Sequence, residues 1–135
     1  MTAEQFLKSI AASDMRITAK AEEAYRYRAL AERCTSIVTE RVQTSPQNNR
    51  EDVYVKLITA SQEKEREANA LIDKKIEVSR QLDQMQDKRF SELLRLKYVC
   101  CKTGEEVGEI MHFDESTMRK LHGKALNAYE RQFLL

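Results

Sequence analysis

Glycine and proline are scarce in this chain, three and one among 135 residues, and tryptophan is absent. A sheet-rich domain needs turn residues at close intervals, so this shortage argues against strands. Charged residues make up 33% of the composition, a balance suited to long solvated helices. The expected fold is all-α: a long N-terminal antiparallel helical hairpin of coiled-coil character, then a small C-terminal helix-turn-helix head. Cysteines are few and odd in number, Cys34, Cys100 and Cys101. Adjacent helical residues point in different directions, so a disulfide framework is not expected and a reducing compartment fits. Cys100 and Cys101 are expected to pack at the end of a head helix. No long apolar run occurs, and the opening stretch has neither a basic leader nor an apolar core, so neither a signal peptide nor a membrane span is expected. The expected location is the cytoplasm.

Chemistry is equally sparse. The two histidines, His112 and His122, stand ten residues apart and the paired cysteines do not form a CxxC, so metal-ligand spacing is missing. There is no phosphate-cradling glycine loop and no nucleophile motif, and the carboxylates sit among lysines and arginines rather than alone in apolar runs. No enzymatic activity, cofactor or metal is expected.

Helix periodicity organises what remains. In the first forty-odd residues Ile10, Ile17, Ala24, Ala31 and Val38 recur by sevens, a narrow seam on one side of a helix. The polar run from Gln43 to Arg50 surrounds the single proline, Pro46, and predicts a loop over 43–51. A second apolar pattern, including Leu57, Ile58, Ala68, Leu71, Ile72, Ile76, Val78, Leu82 and Met85, then predicts a second long helix antiparallel to the first. Little apolar surface lies between Ala60 and Glu67, and alanines bury little area. The hairpin, residues 1–87, is therefore expected to be marginal alone and to self-associate as a homodimer or pack on a partner, the alternative being a monomeric hairpin braced by its own C-terminal head.

From residue 88 to 135 the units are shorter, and this segment is expected to be a separate head. Phe90, Leu93, Leu94, Leu96, Tyr98 and Val99 form one helical pattern. Thr103 can cap a short helix over Gly104–Met111 that has Glu105 and Glu106 in its first turn. Asp114 can cap another, running to about Phe133. Two short amphipathic helices joined by three residues predict a helix-turn-helix. Its packing positions would be Val107, Gly108, Met111, Phe113, Met118 and Leu121, with Gly108 where the second helix crosses closest. His112 falls where a left-handed residue is needed, a conformation histidine tolerates better than most.

Net charge is only +1, which gives no global argument for nucleic acid. Distribution says more: from Ser116 onward Arg119, Lys120, Lys124 and Arg131 face a single acid, Glu130. A second helix in the major groove would present Glu115, Ser116, Thr117, Arg119 and Lys120 to DNA. Arg119 could pair with guanine, and Glu115 could accept from cytosine. Lys124, His122 and Lys102 would be candidates for phosphates.

The run from Phe90 through Leu126, FSELLRLKYVCCKTGEEVGEIMHFDESTMRKLHGKAL, resembles region four of bacterial sigma factors. It resembles more closely a family of small regulators from phages and integrative elements of Gram-positive bacteria, related to autolysin-regulator-type late-gene activators. The RKLHGKAL stretch is the most specific part. Family members commonly carry Trp at the position of Gly104 and Ala at that of Gly108. The resemblance implies a transcription regulator that binds double-stranded DNA through a recognition helix near 115–133 and contacts RNA polymerase. The alternatives are a protein-interaction module, binding RNA polymerase or sigma or acting as a coiled-coil scaffold, and a DNA-recognition subunit of phage packaging.

Overall fold

The structure, a computed structural model, describes residues 1–40 and 47–135, and the side chains of 1–34 and 51–135. All regular structure among the described residues is helical. Two long helices, α1 (Ala3–Glu40) and α2 (Gln47–Asp83), precede three short ones, α3 (Lys88–Leu94), α4 (Gly104–Met111) and α5 (Glu115–Tyr129). α3 and α5 each run on into a π-helical turn, Arg95–Val99 and Glu130–Leu134. No helix in the described residues is long and apolar enough to cross a membrane.

The loop expected at 43–51 falls, over 43–46, outside the described residues. From Gln47 onward the chain is helical, so α2 starts earlier than its apolar pattern does. Gln47 and Arg50 are good helix formers, which outweighs the two asparagines whose presence reads as a turn in the composition of this stretch.

Contacts divide the chain into two compact units, one of Met15–Ile72 and one of Met1–Asp14 with Asp73–Leu135. The first is an antiparallel pairing of α1 with α2: Ser61 Oγ donates to the Ala24 carbonyl at 2.9 Å, Lys20 meets Glu67 at 2.9 Å, and Arg28 meets Glu65 at 2.7 Å. The seam residues Ala24 and Ala31 are buried, and Ile17 is half-buried. The stretch between Ala60 and Glu67, poor in apolar surface, holds Ser61, fully buried. Its hydroxyl is satisfied by a backbone carbonyl of the opposite helix, so small residues bring the two backbones close.

The second unit carries the larger core. Ala3, Leu7 and Ile10 from the start of α1, Val78 and Leu82 from the end of α2, Met85 just after it, Leu93, Leu94 and Tyr98, Val107 of α4, and Leu121, Ala125 and Tyr129 of α5 form one buried cluster. α1 is tied in at its first turn. Thr2 and Gln5 exchange backbone-to-side-chain hydrogen bonds in a capping box, and the Ala3 N–H donates to Glu130 Oε1 at 3.3 Å. Within this unit Lys75 pairs with Asp14, and Arg95 bridges Ser79 and Asp83 of α2.

Candidate functional site

Local chemistry builds the α4–α5 pair. Thr103 caps α4 in a full capping box: its hydroxyl accepts from the Glu106 N–H at 3.2 Å, and Glu106 Oε1 accepts from the Thr103 N–H at 3.1 Å. These hydrogen bonds hold the Glu106 carboxyl below the ordinary carboxylate range. His112 ends the helix in the left-handed conformation, φ 60°, as its position in the sequence suggests. The chain reverses over His112–Asp114, and Asp114 caps α5 by accepting from the Thr117 N–H at 2.7 Å. Its carboxyl is likewise held low.

The expected packing residues converge. Val107 and Leu121 are buried, while Met111, Phe113 and Met118 are half-buried against the same core. Gly108 is half-buried at the tightest point. A Cβ there would lie 3.3 Å from the Phe113 carbonyl oxygen and 3.9 Å from Met118 Cγ, whereas Gly104 and Gly123 face open space.

Of the residues expected to face a nucleic acid, Glu115, Ser116, Thr117, Arg119, Lys120 and Lys124 lie exposed on α5. Arg119 and Glu115 pair with each other at 3.3 Å, one helical turn apart. Both are so exposed that water competes for them and the pair contributes little stability. Lys102 is exposed before α4, 4.0 Å from Glu106 Oε2. The two helices present opposite signs: Glu105, Glu106 and Glu109 are exposed on α4, and Arg119, Lys120 and Lys124 on α5. A groove of about 1010 Å³ runs beside them, lined by Leu93, Val107 and Met118 and by the polar Lys97, Arg119 and His122, among others.

His122 stands apart from the other candidates. It is half-buried, its Nε2 lies 2.7 Å from Tyr98 Oη, and the two rings stack with centroids 5.9 Å apart. The sequence places Tyr98 only in an apolar pattern, and a contact between residues 24 apart leaves no periodic signal. Burial pushes the His122 imidazole below its ordinary pKa, Lys97 and Lys8 add to the effect, and Glu4 opposes it. The hydrogen bond and the ring stacking tie His122 to Tyr98 within the packing of the head. The Tyr98 phenol is itself pushed up to about 12, by burial and then by Glu4.

A pH dependence follows from the depressed imidazole. The unfolded chain takes up the proton near the ordinary histidine pKa while the folded chain resists it. Stability is therefore fully present above about pH 6.5 and declines as pH falls toward the folded value. The melting temperature is expected to drop between about pH 7.5 and about pH 5.5, and to drop less in His122→Gln. Equal drops in both proteins would assign the loss to other groups. The capping carboxylates release their contribution only at lower pH, because their pKa values lie below the ordinary carboxylate range.

Cys100 and Cys101, expected to pack at the helix end, are both exposed. Cys101 is left-handed at φ 57°, and its Sγ donates to Asp14 Oδ2 at 3.3 Å. All three cysteines are free. Among the described residues no three His, Cys, Asp or Glu side chains gather closely enough to hold a metal ion.

The fold defines an all-helical protein in which a long antiparallel helix pair precedes short capped helices. The chain belongs to the family described as "Protein of unknown function (DUF1492)", which matches residues 33–130. No curated protein and no solved structure matches.

Proposed function

We propose that α4, the turn at 112–114 and α5 form a helix-turn-helix of the sigma region-four type, and that the protein is a DNA-binding transcription regulator of phage or mobile-element kind. The observation that carries this reading is the contrast on α5. One face, Leu121, Ala125 and Tyr129, is buried, and the other exposes Glu115, Ser116, Arg119, Lys120 and Lys124 beyond a three-residue turn that opens on the left-handed His112. In the major groove the first turn of α5 would meet base edges. Arg119 would exchange Glu115 for guanine, and Lys120 and Lys124 would meet phosphates. The role is non-catalytic, with RNA polymerase as a further partner.

Selection of bound sequences from random duplex DNA tests it, with the intact protein beside an Arg119→Ala, Lys120→Ala, Lys124→Ala variant. The intact protein is expected to enrich a motif, and the variant to bind it at least roughly tenfold more weakly, with a salt slope reduced by about two to three. Weak binding equal in the two proteins would remove the reading. A second reading, an interaction module engaging polymerase or sigma, is favoured by one observation: Ile110 is 51% exposed on the acidic face of α4.

A further inference from the structure

The unit of residues 15–72 has helices but almost no core. Its fully buried side chains among those described are Ala24, Ala31, Ser61 and Ala68, all small. Of the larger apolar residues, Ile17, Leu57, Ile58 and Leu71 are half-buried and several others remain in water: Tyr25 is 69% exposed, Val55 60%, and Ile72 36%. Close approach through small residues leaves bulky side chains on the flanks, where two helices cannot bury them.

The flanks differ. By helical spacing, Lys20, Glu23 and Tyr27 lie to one side of the α1 seam, and Lys64 and Glu67 to the matching side of α2. They form a connected network: Lys20–Glu67 at 2.9 Å, Lys64–Glu67 at 3.2 Å, Lys64–Glu23 at 3.6 Å, and the Tyr27 phenol donating to Glu23 at 3.0 Å. The other flank is crossed by Arg28–Glu65. On that flank Val55, Ile58, Gln62, Glu65, Asn69 and Ile72 recur at alternating intervals of three and four, a second seam on α2 beside the one it gives to α1. It is apolar at both ends and polar in the middle. A polar residue such as Asn69 within a seam fixes register and the number of helices at some cost in stability. Ala21 and Tyr25 of α1 border this seam. A helix with two adjacent seams has the pattern of a bundle member with two neighbours, and among the described residues of this unit α1 is the one neighbour.

Charge identifies the missing one. Residues 15–34 of α1 carry five basic and three acidic side chains, and residues 51–72 of α2 carry three basic and five acidic. The helix that complements the open seam of α2 is therefore one with the charge of α1, and the reverse holds for α1. A second copy related by a two-fold axis satisfies both at once. We infer that this face is a self-association surface, with α1 of each copy packed on α2 of the other to complete a four-helix bundle. The pairing is independent of what α5 binds.

Sedimentation velocity on the full chain over a micromolar concentration series tests the inference, using the wild type, a Val55→Lys, Ile72→Lys variant and a separate Tyr25→Lys variant. Because these side chains are exposed in the single chain, the variants should keep the wild-type helical circular dichroism; Tyr25→Lys decides the matter if the double variant loses it. The wild type is expected to be a dimer, and a folded variant to dissociate with a constant raised at least tenfold. A wild type that stays monomeric, or a folded variant that dimerises as tightly, would overturn the surface. Opposite charge across the interface also predicts a dimer that weakens several-fold as salt rises from about 50 to about 500 mM. Affinity unchanged or increased by salt would overturn the pairing of α1 with α2.

Discussion

Tyr129→Ala is expected to destabilise the unit that contains it by about 4 kcal/mol, the scale of a large aromatic truncation in a packed core. Tyr129 is fully buried. Its ring stacks on Phe6 of α1 with centroids 6.4 Å apart and packs on Phe133 at 5.0 Å, and its phenol donates to Gln81 of α2. One side chain near the end of the chain thus joins the first turns of α1 to the last turns of α2. The cavity left by alanine would be bounded by helices that are each fixed elsewhere, which limits how far they can collapse into it. Against a whole-protein stability of roughly 5–15 kcal/mol, the loss should lower the melting temperature by well over ten degrees. Tyr129→Phe separates the two contributions. It keeps the ring and removes the phenol bond, so a loss of only about 1 kcal/mol is expected. Burial, then Glu77, pushes the Tyr129 phenol up to about 12, so the native tyrosine adds an alkaline limit: stability falls as pH rises above the ordinary phenol value near 10. The Phe variant should lose part of that dependence. Chemical denaturation of the three proteins measures all of this, and a loss under about 1.5 kcal/mol in Tyr129→Ala would show that the stacked core is not what holds the unit together.

The features legible in the sequence are those written in short-range chemistry. A seven-residue spacing implies one helical face, and Ile10, Ala24 and Ala31 are buried where it puts them. Thr103 and Asp114 cap α4 and α5 because a hydroxyl or carboxylate three residues before an N–H has few better conformations, and His112 is left-handed because the turn needs such a residue. Long-range partnerships leave no such trace. The first fourteen residues read as the start of one uniform helix, yet Ala3, Leu7 and Ile10 pack in the same unit as α3, α4 and α5. Their fate is fixed by Tyr129 and Glu130 at the other end of the chain, which no local period can report. Tyr98 and His122 meet for the same reason, a contact between residues 24 apart that no local period reports. The π-helical turn at Arg95–Val99 is equally hidden, since it shifts the register of a helix without changing its composition.

Gly108 is where short-range and long-range requirements meet, and Gly108→Val is expected to cost about 2–3 kcal/mol. A helix-interior glycine ordinarily invites replacement, because alanine there gains on the order of 1 kcal/mol in helix propensity. At this position the first added carbon already lies 3.3 Å from the Phe113 carbonyl oxygen, which is backbone. The Phe113 N–H donates to the Gly108 carbonyl at 3.1 Å, so the turn is held close and cannot withdraw without losing that bond. Gly108→Ala should therefore be nearly neutral, its propensity gain offset by a shift of a few tenths of an ångström. Valine adds two branches to a carbon that already has no room, and Met118 on α5 stands next in line at 3.9 Å. The relief open to the structure is to tilt α5 away from α4. If α5 reads DNA, binding of the selected sequence should then fall further than the stability loss alone would produce, while the exposed residues Arg119, Lys120 and Lys124 remain in place. A valine variant as stable as the native protein would mean that α4 and α5 are not closely packed, and with that the geometric basis for a recognition helix would be gone.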